Sequence, residues 1–378
     1  MNADKMRGHG SREGEQAVLL VGMELSLKKW RLAIAAAGAV RHRQVTIEGG
    51  GYSELHAVVA QARERFGLGS QGQVILCYEA GREGFHPCRV LREAGYEVWV
   101  VDSSSIEVDR RQRRAKNDVL DAGRLVALMQ RHWRGERALR VVRVPSREQE
   151  DERQRSRERE ELRVERGRLR MRMQSLVFTQ GEREFPKSVS AIERWLERHA
   201  EQLPAHLLKR LQREWQRLRV VAQQLHGVES ELRQSVESGA TRSDQAAARM
   251  CQLKGIGECS GWVMGTEVFG WRKFNNRREV GAITGLVPTP YDSGESRREQ
   301  GISKAGNKRV RRVLIEVAWK WLYYQPQSAS AQWFLQRFGA QGKRSRRIGI
   351  VALARRLIVE LWHYVEHGVV PRGAQLKA

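Results

Sequence analysis

Residues 17–48 read AVLLVGMELSLKKWRLAIAAAGAVRHRQVTIE, and this stretch decides the fold of the first part of the chain. Ala17 to Glu24, Trp30 to Ala37 and His42 to Ile47 are each short and apolar enough for a strand, with turns between them. The first two runs are almost continuously apolar, as strands buried on both faces are, while Val45 and Ile47 alternate with polar residues. Working outward, Tyr52 to Phe66 places Leu55, Val58, Val59 and Ala62 at helical spacing. Gln73 to Glu79 (QVILCYE) is a further apolar strand ending on an acid, and Tyr96 to Val101 is another. Helices are expected around Gly84 to Ala94 and from about Asp118 to Arg131. Three strands followed by alternating strands and helices is an α/β layout, compatible with the ribonuclease H arrangement and with a generic mixed sheet.

The acids of this half fall at the ends of elements. Glu24 closes the first strand and Glu79 the fourth, while Asp118 and Asp121 share one side of a helix through their i, i+3 spacing. Four converging carboxylates repel one another, and a divalent cation makes such a cluster tolerable. Mg²⁺ suits it, because Mg²⁺ takes oxygen ligands and lets substrate phosphates complete its shell. Each acid also has a purely structural reading, as a helix-start acid favoured by the dipole or a solvent-facing strand end.

Composition narrows the partner. The 378 residues carry 68 Lys and Arg against 44 Asp and Glu, a net charge of +24 that favours a polyanion, DNA or RNA. No run reaches the ~18 to 20 apolar residues of a membrane span. Ala17 to Leu27 is broken by Glu24 and carries no small-residue cleavage signal, so it does not read as a signal peptide. Cys77, Cys88, Cys251 and Cys259 lack zinc or disulfide spacing and fit free thiols in a reducing cytoplasm. Residues 1–16 are polar and Gly-rich and read as a disordered tail.

Beyond Pro145 the chain changes character. Arg147 to Phe178 holds ten Arg against eight acids with a sparse apolar stripe, which reads as a long helix needing a partner for that stripe. After a break at Gly181 to Lys187, helical spacing resumes over Val189 to Glu197 and Pro204 to Glu237. A helical hairpin or coiled coil is expected, either as a dimer contact or as a monomeric linker. Gly239 to Gln245 reads as a linker. LKGIG at Leu253 to Gly257 resembles a helix-hairpin-helix turn, whose glycines bring backbone N–H groups to a phosphate. Val310 to Tyr324 and Ile348 to His367 read as helices, with Trp319, Trp321 and Trp362 assigned to the core and a short polar tail after them.

Gly285 to Arg312, GLVPTPYDSGESRREQGISKAGNKRVRR, is the most chemically suggestive segment. A Tyr-Asp-Ser-Gly turn presents Ser293, and from Arg297 to Arg312 seven Lys or Arg accompany a single Glu. A nucleophilic hydroxyl beside a phosphate cradle is one reading, and a flexible basic loop that only binds is the other.

Together these pieces resemble the DEDD-type transposases of the insertion sequence 110 family, understood as RNA-guided recombinases. VGMELSLKKW resembles the first-acid strand, CYEAGREGF the second-acid strand and KNDVLDAGRLV the helix bearing the last two acids. The segment from LKGIG through VLIEVAW resembles the family's C-terminal transposase domain almost continuously. The resemblance implies a RuvC/ribonuclease H-like α/β domain over residues 17–145 and a charged helical coiled-coil region over 146–245. It implies a mainly α transposase domain, with the helix-hairpin-helix-like segment, over 246–370. It implies that Glu24, Glu79, Asp118 and Asp121 bind Mg²⁺ and that Ser293 attacks the scissile phosphate, and the positive charge of Lys304, Lys308, Arg309, Arg311 and Arg312 is then expected to hold the nucleic acid. Glu24 stands where most members carry Asp, a longer side chain that still reaches a cation. The implied partners are the element's DNA ends and target site, an element-encoded guide RNA, and further copies of the chain in a dimer or tetramer, with no membrane. The expected place is the cytoplasm, on the nucleoid. Two other readings are a junction-resolving nuclease that uses water, and a non-catalytic nucleic-acid-binding protein.

Overall fold

Five strands form the sheet of the N-terminal part: β1 (Leu19–Leu25), β2 (Lys29–Ala36), β3 (Arg43–Glu48), β4 (Val74–Glu79) and β5 (Glu97–Val101), in the order β3-β2-β1-β4-β5. The first three pair antiparallel, and β1, β4 and β5 run parallel. This is a computed structural model that describes residues 18–69, 72–103, 118–293 and 296–377, with the backbone alone at 118–121, 290–293 and 296–300. The tail expected over residues 1–16 lies outside the described residues. The chain divides into two units, Met1–Pro145 and Ser146–Ala378.

Among the described residues three helices accompany the sheet: α1 (Tyr52–Arg65), α2 (His86–Glu93) and α3 (Asp118–Trp133). Leu19, Val21 and Met23 pack with Leu55 and Val59 of α1 and Cys88 and Leu91 of α2. Val18, Leu20, Ile75 and Cys77 pack on the other side with Leu125, Val126 and Met129 of α3. Alternate residues of one strand therefore bury into different layers, which is why β1 is apolar from Leu19 to Met23, before Glu24.

The second unit holds nine helices among its described residues, with one β-hairpin between them. They are α4 (Arg147–Phe178), α5 (Val189–Arg198), α6 (Ala205–Ser238), α7 (Arg242–Cys251), α8 (Glu258–Met264), α9 (Arg277–Ala282), α10 (Lys308–Tyr324), α11 (Ala329–Phe338) and α12 (Lys343–His367). A five-residue π-helical turn, Gly265–Phe269, continues α8. The hairpin is β6 (Pro288–Ser293) and β7 (Ser296–Ile302).

Ser146 and Gln149 form a reciprocal capping box that starts α4. Its stripe of Leu162, Leu169, Met173 and Val177 is buried with Leu211, Leu218 and Leu225 of α6 in one cluster. Arg172 pairs with Glu214 at 3.1 Å and Arg159 with Glu229 at 2.7 Å, so the two long helices run antiparallel. The partner that α4 needs is thus α6 of the same chain. A second core joins α7, α10, α11 and α12 through Met250, Leu314, Trp321, Phe334 and Leu357.

Three expectations change here, and that of a polar C-terminal tail gains its contacts. The linker expected over Gly239 to Gln245 is already helical from Arg242, because the Thr241 hydroxyl and the Asp244 carboxylate cap one another's backbone N–H groups. The C-terminal polar tail is bonded in place: Lys377 N donates to Gln252 O at 2.6 Å, and Gln375 N donates to Gln325 Oε1 at 2.7 Å. Trp321 and Trp362 are buried, but Trp319 is 45% exposed, because the helical repeat of α10 turns it away from the face that buries Val317 and Trp321. Tyr291 to Ser293 of the expected Tyr-Asp-Ser-Gly turn lie in strand β6, paired with Arg298, Arg297 and Ser296 of β7, and Gly294 lies outside the described residues.

Candidate active site

The acid-bearing end of the first unit follows from the sheet register. Met23 lies opposite Tyr78 in the parallel β1–β4 pair, so Glu24 and Glu79 are the next residues on adjacent strands. Val18, just before β1, and Leu20 of β1, with Ile75 and Cys77 of β4, belong to the α3 layer. Glu24 and Glu79 continue those alternations and fall on the same face, at the carboxyl ends of their strands. Glu79 is exposed and Glu24 half-buried.

Two contacts fix the direction of α3 across that face. A Cβ at Gly22 would meet Ala122 O at 2.8 Å and Val126 Cγ2 at 2.9 Å, so the helix backbone rests on this glycine. Further along, Gln130 Nε2 donates to Ala36 O at 2.9 Å and Gln130 Oε1 accepts from Gly38 N at 2.7 Å. Ala36 is abreast of Leu19 at the start of β1. The helix therefore runs back along β1, and its first residues, Asp118 to Asp121, extend toward the end carrying Glu24. Asp118 begins ~6 Å of helical rise before Ala122, and Glu24 lies ~7 Å beyond Gly22 along its strand. The side chains of Asp118 and Asp121 lie outside the described residues. Among the described side chains no group of three His, Cys, Asp or Glu forms a metal cluster.

Ser293 belongs to the second unit, where it ends β6 and pairs in register with Ser296 next to the hairpin tip. Its side chain lies outside the described residues. The base of that hairpin is held firmly. Ser303 N donates to Val287 O at 2.9 Å, and Lys304 N to Gly285 O at 3.0 Å. Gly285 has φ +64°, and a Cβ there would stand 2.3 Å from Ala305 O, so neither its conformation nor its space admits another residue.

Asn307 ties this base to the buried interior. Its Oδ1 accepts from Arg309 N and Val310 N, capping α10. Its Nδ2 donates to Glu267 Oε2 at 2.9 Å. Glu267, in the π-helical turn and 1% exposed, also accepts from Arg157 Nε at 2.8 Å and Nη2 at 3.1 Å. Burial pushes the Glu267 carboxyl up, but the Arg157 guanidinium, bonded to it, and the Asn307 amide together hold it below the ordinary carboxylate range. Sequence reading passed over this relay. Its visible signals are a lone acid in the apolar run VMGTEVFGW and an Asn directly before the Lys-Arg start of a helix.

The five basic residues expected to hold nucleic acid divide into two sets. Arg311 Nη1 donates to Thr284 O and Lys304 O, both at 3.1 Å, bracing the hairpin base. Arg312 pairs with Glu160 at 2.8 Å and Arg309 with Glu161 at 3.5 Å, both on α4. Lys304 and Lys308 have exposed side chains.

Residues 247–333, which include the Ser293 hairpin, match the family described as Transposase IS116/IS110/IS902. Residues 42–179, which include Glu79 and α3, match the DEDD transposase family of the IS110 group. A protein of Sinorhizobium fredii named as a transposase, y4rJ, is 38% identical over 376 residues, 95% of this chain and 94% of that one. The chain belongs to the IS110 family of transposases. A second S. fredii protein so named, y4qE, is 28% identical over 80% of this chain and 72% of its own length. The transposase of insertion sequence element IS1328 from Yersinia enterocolitica is 31% identical over 35% of this chain and 39% of its own. As an IS110-family transposase the chain is a DNA-binding enzyme, and the DEDD family suggests dependence on a divalent metal. No helix among the described residues is long and apolar enough to cross a membrane.

Proposed function

We propose that this transposase cuts and rejoins DNA through a serine–phosphate intermediate, using Ser293 and the acids Glu24, Glu79, Asp118 and Asp121. What supports the reading is that Glu24 and Glu79 follow the paired residues Met23 and Tyr78 on adjacent strands, on the face that α3 crosses. The strand order β3-β2-β1-β4-β5 supports a RuvC/ribonuclease H-like domain. An all-carboxylate donor set fits Mg²⁺. When bound, Mg²⁺ supplies Lewis-acid polarisation of the phosphate.

The Ser293 hydroxyl attacks phosphorus: a new O–P ester bond forms, one phosphodiester P–O bond breaks, and the departing sugar oxygen takes a proton. A sugar hydroxyl of the partner strand later attacks the phosphoserine and frees Ser293, so bond energy is retained for rejoining. Lys304 and Lys308 place positive charge beside the hairpin base, where the strand would lie. The long α4–α6 pair serves as a coiled-coil assembly element, and copies in a dimer or tetramer combine the acids of one with Ser293 of another. An element-encoded RNA guides target choice, and the enzyme works on the nucleoid. The net charge of +24 supports two polyanionic partners.

Glu79→Gln and Glu24→Gln test the acid site. Each is expected to retain DNA binding and to lose strand cleavage by ~10²-fold or more, the scale of losing a preorganised electrostatic group. Cleavage at the parent rate in both variants would remove the acids from the chemistry.

A further inference from the structure

The two long sides of α4 differ in charge. A groove of about 550 Å³ on one side carries Glu160, Glu161 and Glu165 with Arg168, Arg172 and Arg217, a mixed surface. A second groove of about 530 Å³ on the other side carries Arg163, Arg166, Arg170 and Lys187 with no acid, over a floor that includes Leu218 and Ala222 of α6. The acids of α4 stop at Glu165, and the residues that follow to Phe178 include four Arg and no Asp or Glu.

We infer that this second groove holds the sugar–phosphate backbone of double-stranded DNA. Arg163, Arg166 and Arg170 stand at i, i+3 and i+7, on one side of the helix, over ~10 Å of rise. Along one DNA strand that distance covers about three phosphates. Arg166 and Lys187 are exposed and, like Arg170, enter no ion pair among the described residues, and Arg170 Nη2 donates to the Met171 sulfur at 3.5 Å. Arg163 is shared with Glu160 at 3.0 Å, which makes it the weakest of the four contributors. Ser188, which also lines the groove, caps α5 by accepting from Ala191 N, so the positive end of that helix dipole opens on the same space. The occupant is DNA because the enzyme is a DNA transposase and must hold duplex flanking its cut. A wholly cationic groove with a small residue, Gly167, in its wall suits a continuous backbone and carries no base-reading pattern. The inference stands apart from the role of Ser293.

The test is the salt dependence of binding, read by fluorescence anisotropy on a 40-base-pair duplex with the full-length protein. Arg166→Gln/Arg170→Gln/Lys187→Gln is compared with an equal charge change elsewhere, Arg194→Gln/Arg210→Gln/Arg213→Gln. The groove variant is expected to bind about tenfold or more weaker at 150 mM salt, with the slope of log K against log salt smaller by about 2 to 3, while the control shifts less than a third as much. The single change Lys187→Gln, at an exposed loop residue, is expected to lower the slope by about 1 and serves if the triple variant does not fold. Equal effects in both triple variants, or no change in slope, would overturn the groove. A loss confined to a structured RNA of the same length, with duplex DNA binding unchanged, would overturn DNA as its occupant.

Discussion

Glu24 is the next-to-last residue of β1 and Glu79 the last of the parallel strand β4, and strand alternation puts both on the face of the sheet covered by α3. Neither acid depends on a long loop for its place. Each follows directly on a buried core residue, Met23 before Glu24 and Tyr78 before Glu79, which anchors the backbone at that point.

Gly22 is where α3 touches β1. Replacing it with Ala puts a methyl group against the Ala122 carbonyl and the Val126 side chain, and the helix must move outward. Gly22→Ala is expected to cost about 1–3 kcal/mol, measured by urea denaturation followed through tryptophan fluorescence. Because the displaced segment carries Asp118 and Asp121, cleavage is expected to fall further than the loss of folded protein explains. Unchanged stability would contradict the close approach.

Glu267 gives the second unit a pH dependence. Its folded pKa lies below the unfolded value of about 4.3, so its stabilisation is fully present above that pH and is lost as pH falls through the folded value. Glu267→Gln is expected to cost ~2–4 kcal/mol at pH 7, less than the ~3–5 kcal/mol of a fully buried broken pair because Arg157 remains 35% exposed. Denaturation from pH 7 to pH 3 should show the parent losing stability below about pH 4.5 and the variant losing less. Parallel curves would mean that Glu267 is not held ionised.

Asn307 performs two tasks, and two substitutions separate them. Asn307→Ala removes both the α10 cap and the amide donated to Glu267, with an expected loss of about 2 kcal/mol. Asn307→Asp retains a capping oxygen but turns a donor into a second carboxylate against Glu267. Its stability is expected to fall at pH 7 and to recover toward pH 5, the reverse of the usual acid trend. A variant equally stable at both values would show that the Glu267 contact contributes nothing.

The α/β part was legible because its strands are short apolar runs bounded by turn residues and ending on Glu24 and Glu79. Periodicity over Leu211, Leu218 and Val221 likewise revealed α6. What stayed hidden depends on residues far apart in the chain. Nothing around Gly22 indicates that Ala122 will rest on it. The three charged residues Arg309, Arg311 and Arg312 look alike in a basic run, yet one braces two carbonyls and two pair with α4. The β6–β7 hairpin escaped notice because Pro288, Pro290 and the polar run of β7 lack strand alternation, and its ends are closed by Gly285 and Asn307 rather than by its own composition. Trp319 shows the converse, a large aromatic that helical phase leaves in solvent.

The most direct test of the account is the covalent state of Ser293 during strand cleavage. A duplex carrying the element's end and a nick that lets the released fragment diffuse away should trap the protein on DNA, and peptide mass spectrometry should place the nucleotide on Ser293. The account predicts that Ser293→Ala binds the same duplex yet forms no adduct. An adduct in that variant, or parent cleavage in which water is the only acceptor, would contradict it.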